Sequence, residues 1–224
     1  MKPLVLLLAA LPSLAHAESF FEAEIGLGTS VTQNEGDGRW VQYGVPHQMN
    51  LVAPAVKVGV VAHAYRSNHW GIDLHLDAVY MGDISASCVC VPDANYNPHT
   101  HTVTGNPPPA TFQGHGNEYG VLATAEPFYE NDSGWRFGLN VGAYAYRQVW
   151  YETISYPQSP IYPWGPGTFT ANHHATWRVS PTAGISISKG HWSLDYQFLV
   201  DGTTANPNPG LAKFTHLITM TYRF

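Results

Sequence analysis

Apolar and polar residues alternate with a period of two along most of the chain, and helical spacing is scarcely visible. In the first run, Phe21 to Val31, residues Phe21, Ala23, Ile25 and Leu27 share one face, opposite Glu22, Glu24, Gly26 and Gly28. Ala55 to Tyr65 sets Val56, Val58 and Val60 against Lys57 and Gly59. Trp70 to Gly82 sets Ile72, Leu74, Leu76 and Tyr80 against Asp73, His75 and Asp77. The fourth run, Asn117 to Tyr129, places Tyr119, Val121 and Ala123 opposite Glu118, Leu122 and Glu126. The fifth, Trp135 to about Tyr151, places Phe137, Leu139 and Val141 opposite Arg136, Asn140 and Tyr144. In Ala175 to Ser188, Trp177, Val179, Ile185 and Ile187 oppose Arg178, Ser180 and Thr182. Trp192 to Asp201 and Lys213 to Phe224 complete the set, with Asp195, Gln197, Thr219 and Arg223 on their polar faces. This pattern predicts eight β-strands, each long enough to cross a bilayer when tilted.

The connections between runs alternate in length. Those after the second, fourth and sixth are short: Arg66-Ser67-Asn68-His69, Glu130-Asn131-Asp132-Ser133-Gly134 and Lys189-Gly190-His191. Those after the first, third, fifth and seventh are long: Thr32–Pro54, Asp83–Gly116, Glu152–His174 and Gly202–Ala212. Short periplasmic turns and long external loops are the habit of outer-membrane barrels. The predicted fold is therefore all-β, a transmembrane antiparallel up-and-down barrel of eight strands with four long extracellular loops and both termini on the periplasmic side. Trp70, Trp135 and Trp192 each open the strand after a short turn, and Tyr129 closes one just before a short turn. Amphipathic rings at that level fit the inner membrane interface, although cross-strand packing alone also uses such residues.

Ahead of the first strand, Lys2, the apolar run Leu4 to Leu11 and Ala15-His16-Ala17 form a signal-peptide pattern. Residues 1–17 are expected to be removed, so that 18–224 forms the barrel and the mature chain starts at Glu18. Charged residues make up only 12% of the 224 residues, while Gly (21), Tyr (13) and Trp (7) are abundant. A soluble domain carries about twice that share of charge. The net charge of −6 supplies no basic stripe for nucleic acid. Cys88 and Cys90 are the only cysteines, too few and too close for a disulfide framework.

The ending Phe214-x-x-x-Ile218-x-Met220-x-Tyr222-Arg223-Phe224 resembles the terminal strand signal of outer-membrane β-barrels, which finish on an aromatic residue after alternating apolar positions. With the strand count, the resemblance covers the whole mature chain and is closest to the OmpA/OmpX-type eight-stranded proteins. It implies the bacterial outer membrane as location, with outer-membrane lipid, lipopolysaccharide and the barrel assembly machinery as partners. A second resemblance is local. Tyr196 to Gly202, followed by Asn206-Pro207-Asn208-Pro209-Gly210, is similar in spacing to the last hairpin of PagL-type lipid A deacylases. That family has a His-x-Ser pair where this chain has Phe198 and Val200, and a glutamate where it has Ala212. His191-Trp192-Ser193 keeps the spacing but lies at the other end of the strand. Hydrolysis then lacks a nucleophile, a base and an orienting acid.

Two further groups offer chemistry. Asp73-x-His75-x-Asp77 on one strand face has the residue types of an acid/base or metal site. The same residues, with Glu22, Glu24, Glu118, Glu126 and Asp195 against Lys57, Arg136, Arg178 and Arg223, also make a salt-bridged plug in a lumen only wide enough for side chains. Loop histidines His47, His99, His101, His115, His173 and His174 join Cys88 and Cys90 as zinc or copper ligand types, but a Pro-rich loop fixes no geometry for them. The third loop mixes prolines with Tyr156, Tyr162 and Trp164, a composition suited to contact with a partner or to packing over the barrel mouth. We assign no catalytic, metal or cofactor-binding residue. The reading is a non-enzymatic surface barrel whose loops meet an unknown extracellular ligand, with a PagL-like enzyme and a narrow channel as alternatives.

Overall fold

The computed structural model describes residues 20–33, 46–91, 95–97, 99–106, 108–156, 167–200 and 214–224. The signal segment 1–17, Glu18 and Ala212 lie outside the described residues. Eleven strands are present: β1 (Phe21–Gln33), β2 (His47–Asn50), β3 (Val52–Arg66), β4 (Trp70–Cys90), β5 (Tyr96–Asn97), β6 (Thr102–Val103), β7 (Ala110–Glu130), β8 (Trp135–Tyr156), β9 (Gly167–Lys189), β10 (Trp192–Val200) and β11 (Phe214–Arg223). Eight of them close an antiparallel ring in the order β1-β3-β4-β7-β8-β9-β10-β11, and β11 returns to β1. Closure leaves no open sheet edge around the ring where the wall is complete, as a strand protein in lipid requires.

The alternation sorts side chains as the sequence predicts over most of the wall. Ile72, Leu74 and Leu76 on β4 and Phe137, Leu139 and Val141 on β8 are exposed outward. Asp73, His75, Asp77 and Asn140 from the same strands are buried inside. The short turns are built by local chemistry. Asn131 accepts from the Ser133 and Trp135 amides through its side-chain oxygen, and Gly134 (φ 77) and Gly190 (φ 58) supply left-handed backbone.

Two irregularities change the register beyond a plain two-residue count. A bulge between His63 and Tyr65 turns Tyr65 outward and brings Arg66, expected in the turn, to the lumen end. The second lies at Gly82 (φ 70), where the pairing of β4 with β7 shifts between Tyr80 and Asp83. Past it, Ile84, Ala86 and Cys88 face inward and the strand continues to Cys90. The second connection is thus corrected. Much of Asp83–Gly116 is strand, and β4, β7, β8 and β9 all run past their expected upper ends. His47–Asn50, expected in the first loop, adds β2 to the edge of this extension. The parity flip at Gly82 hides the continuation from any count that assumes one face throughout.

Gly82 is required for two reasons. Its backbone is left-handed, and a Cβ there would stand 2.3 Å from the Pro54 carbonyl oxygen and 2.7 Å from the Ala53 Cβ. Gly82→Ala is expected to cost about 1–2 kcal/mol from the backbone alone, and more from the clash. Gly134→Ala, equally left-handed but with open space around it, should lose only the backbone part. Equal losses in urea unfolding of the refolded barrel would contradict the bulge.

Candidate functional site

The lumen is filled in layers. At the short-turn end Phe128 points inward between two guanidinium groups, with Arg66 4.7 Å and Arg136 4.0 Å from its ring centre. Both arginines reach Asp73, at 2.7 and 3.0 Å, and Arg136 also meets Glu130 at 3.2 Å. His63 lies against Glu22 at 3.4 Å and Asp73 at 2.9 Å. One layer further in, Arg223 approaches Glu126 at 3.2 Å and both Glu24 and Asp73 at 3.5 Å. Lys57 holds Glu24 at 3.1 Å, Asp195 at 3.4 Å and Asp77 at 3.9 Å. Ser193 and Thr221 hydroxyls donate to Asp195, and Ser186 donates to Glu126.

His75 sits at the centre of this network. Its Nδ1 faces Glu24 at 3.3 Å and its Nε2 faces Glu126 at 2.7 Å. A neutral imidazole donates from one nitrogen only, whereas the doubly protonated ring donates to both carboxylates. In that form His75, with Lys57, Arg66, Arg136 and Arg223, balances Glu24, Asp73, Asp77, Glu126 and Asp195. Glu24, His75 and Asp77, and likewise Asp73, His75 and Glu126, bring ligand atoms within 4.8 Å of one another. A cation there would displace Lys57 or Arg223 from carboxylates they already pair with, so the arrangement is suited to a plug rather than to metal chemistry.

Arg178 departs from its expected role. It is on the inward side of β9 in register with Tyr146, above the charged layers, and among the described residues it joins none of these ion pairs. The layer there is apolar. Tyr144 and Tyr146 stack at 4.8 Å with Val79, Met81, Leu122, Leu199 and Leu217 around them. Alternation places such residues inside but does not say how they stack. Higher still, within the strand extension, Ala53, Ile84, Ala86, Cys88, Phe112 and Trp150 form a second buried apolar cluster. Ile84, Ala86 and Cys88 of this upper lining were missed because they follow the bulge, Ala53 and Phe112 lie in stretches expected as loops, and Trp150 is on the inward face of the fifth run. The signal was present as an alternation that restarts with opposite parity at Ile84.

His47 is in register with Cys88 across β2 and β4, and His115 and His173 both pack against Tyr151. Cys88 is buried in the apolar cluster, and neither cysteine is in a disulfide. His99 and His101 occupy the tip of the β5–β6 hairpin, where the Asn97 side chain accepts from the His99 and Thr100 amides. Among the described residues no metal-type cluster includes them. On the lipid face, Phe198 at the deacylase histidine position stacks on Phe214 and meets His216, whose Nδ1 lies 2.8 Å from the Tyr196 hydroxyl. Neither a serine nor a carboxylate bonds to His216 among the described residues, so this pair lacks the nucleophile and acid of a hydrolase.

The outer face defines the membrane. Trp70, Tyr129, Trp135, Trp192 and Tyr222 ring the short-turn end, with Trp70 5.1 Å from Tyr129 and Trp192 4.9 Å from Tyr222. Tyr80, Tyr119, Arg147 and Trp177 stand in one cross-strand row near the other end. Ten residues separate Trp70 from Tyr80 and Tyr119 from Tyr129. At about 3.3 Å per residue and a tilt of about 40°, that is roughly 25 Å along the membrane normal, the height of a barrel's apolar band. Above the second ring the outward rows change character. Asp83, Asn117, Val149 and Ala175 form the first row above it, where the Asn117 amide donates to Asp83, and Ser85, His115, Tyr151 and His173 form the second. Ser87, Gln113, Thr153 and Thr170 form the next, and Val89, Thr111, Ser155 and Thr168 the last.

No protein-family model matches the chain, and no curated protein does. Among solved structures it is similar to Ail, the attachment invasion locus protein of Yersinia pestis. The crystal structure of Ail with the heparin analogue sucrose octasulfate aligns at 12% identity and a TM-score of 0.38, over 91% of this chain and 97% of that one. A second crystal structure of Ail aligns at 12% identity, with a TM-score of 0.36 and the same coverage. The backbone structure of Ail in a phospholipid bilayer nanodisc aligns at 13%, with a TM-score of 0.32, over 91% and 99%. By its closed ring, filled lumen and banded outer face, this chain is an eight-stranded antiparallel β-barrel of the outer-membrane type.

Proposed function

We propose that the protein is a non-enzymatic barrel of the bacterial outer membrane that holds a surface-exposed strand extension for contact with a partner outside the cell. The supporting observation is the uneven wall. β4, β7, β8 and β9 continue about nine or ten residues past the outer aromatic row, whereas β10 stops at Val200 and β11 begins at Phe214. A lumen packed with ion pairs and tyrosines favours this reading over a channel, and the missing nucleophile favours it over a lipid-modifying enzyme. The sulfated ligand of the Ail crystal structure is a poor guide here. Among the described residues Arg147 is the only Lys or Arg in the outer aromatic row or beyond it.

The test is display. An epitope inserted at Gly105, beside the β5–β6 hairpin, should be stained on intact cells, and staining only after permeabilisation would overturn the topology. Planar bilayers holding the purified barrel should show little or no steady conductance, and a stable open pore would favour the channel. Phe224 donates its amide to the Ala23 carbonyl at 2.9 Å and meets the Tyr222 ring edge to face at 5.0 Å, where β11 closes on β1. Deleting Phe224 should therefore lower the yield of heat-modifiable barrel in outer membranes, and an unchanged yield would contradict a role in assembly.

A further inference from the structure

We propose that β2 and the upper end of β4 carry a binding site for a soft monovalent metal ion, Cu(I), with Cys88 and Cys90 as thiolate ligands and His47 and Met49 completing the set. The two strands are antiparallel neighbours, and their register places His47 across from Cys88 and Met49 across from Ala86. The Val89 amide donates to the Pro46 carbonyl at 2.9 Å. Bonded and non-bonded pairs alternate along such a ladder. His47–Cys88 and Met49–Ala86 are therefore non-bonded pairs, whose Cα atoms stand about 4.5 Å apart with the side chains at their closest. Cys90 follows Cys88 by two residues and projects from the same face, and both Cys90 and Met49 pack against the buried cluster that contains Cys88. Strand pairing thus gives these donors the geometry that a Pro-rich loop does not.

The donor types select the ion. Thiolate and thioether are soft ligands and imidazole is borderline, and a thioether suits Cu(I) but has no place in the tetrahedral sites of zinc. Neither β2 nor the stretch of β4 beyond Asp83 contains a carboxylate, on which calcium and magnesium sites are built. Two thiols outside the cell meet a competing fate, the disulfide. Residues two apart on a strand are about 6.6 Å apart at Cα, at the far end of what a disulfide spans. A bridging ion asks for less, because metal–thiolate bonds of about 2.3 Å join sulfurs up to about 4.6 Å apart.

Burial and access are divided among the ligands. Cys88 is buried against Ile84, Ala86 and Phe112, whereas Cys90 is half-buried and His47 is exposed. Among the described strands β2 pairs only with β4, so it forms the rim of the sheet here. An ion reaches the sulfurs past His47, and the imidazole closes behind it. The two thiols and the imidazole do not already stand within 4.8 Å of one another. Rotation of the His47 and Cys90 side chains, which the backbone spacing allows, completes the shell. Each thiol releases its proton on binding, and the apolar cluster keeps water from the sulfurs.

Competition titration of Cu(I) against bicinchoninate, with ascorbate and without oxygen, tests this on the whole folded barrel in detergent. One Cu(I) per chain is expected. Cys88→Ala and Cys90→Ser should each weaken binding by at least an order of magnitude, and His47→Ala and Met49→Leu several-fold, with heat-modifiable mobility intact. Should Cys88→Ala fail to fold, the other three variants carry the test. His47→Ala and Met49→Leu should leave binding by the urea-unfolded chain unchanged, because only the fold brings β2 to β4. If both variants bind as the parent barrel does, the metal meets a bare Cys-x-Cys pair and the proposed site is overturned. Loss of binding on replacing His99 and His101 by alanine would move the site to the β5–β6 hairpin and overturn it as well. Zn(II) binding as tight as Cu(I), with Met49→Leu silent, would overturn the assignment to copper. So would a Cys88–Cys90 disulfide in protein extracted without reductant. None of these outcomes touches the outer-membrane reading, which is tested by display and fractionation.

Discussion

Lys57→Met is expected to give the largest loss of stability of any single lumen substitution, about 3–5 kcal/mol where the plug is dry and less where water enters. Lys57 is 7% exposed, and its ammonium serves Glu24, Asp77 and Asp195 together. Methionine keeps the volume of the stem but leaves three buried carboxylates to repel one another. Urea unfolding of the barrel refolded into lipid vesicles measures the loss. Adding Asp77→Asn to Lys57→Met should recover part of it, because one of the orphaned charges is removed. Arg136→Ala should cost less, since that side chain is half-buried and Asp73 retains Arg66 and Arg223. Arg178→Ala, which breaks none of the described ion pairs, should be nearly silent. A silent Lys57→Met would mean that the carboxylates are not held by pairing.

Leu139→Arg should cost about 2–4 kcal/mol, and Val179→Arg only about 0–1. Both side chains face outward, at 59% and 70% exposed, so burial does not separate them. Height does. Leu139 is four residues above Trp135, in register with Ile185, and stands near the middle of the apolar band. Val179 is two residues inside Trp177, at the outer interface, where an arginine reaches phosphate and water. By residue alternation alone, Val179 and Ile185 are equivalent mid-membrane positions. The wall corrects this for Val179, because β9 is long and its crossing portion is the stretch toward Lys189. The same vesicle titrations compare the two variants, and equal losses would displace the membrane boundaries derived from the aromatic rows.

The fold was legible in the sequence to an unusual degree because a barrel wall repeats one rule. Each strand must present apolar groups to lipid and compatible groups to the lumen, so its pattern is written locally and can be read eight times over. Glu24, Lys57, Asp73, His75, Glu126, Asp195 and Arg223 were therefore placed inside without any tertiary information. The aromatic residues beside the short turns were likewise placed at the membrane interface. What failed was whatever depends on an exception to the rule. Arg66 enters the lumen only because of the bulge at His63 to Tyr65, and Ile84, Ala86 and Cys88 line the upper cavity only because Gly82 reverses the parity.

Partnership inside the lumen belongs to the tertiary structure as well. Arg136 and Arg178 have the same signature along the chain, yet one binds Asp73 and the other stands above the charged layers beside Tyr146. Which inward residues meet is set by the stagger between neighbouring strands, a property of ring closure that no single strand encodes. The uneven height of the wall is of the same kind, since a strand continues only where its neighbour does. The sequence by itself determined the two faces of each strand, because lipid on one side and lumen on the other select residue types locally. Tertiary structure decided the heights and the pairings, because these arise only when distant strands are brought into register.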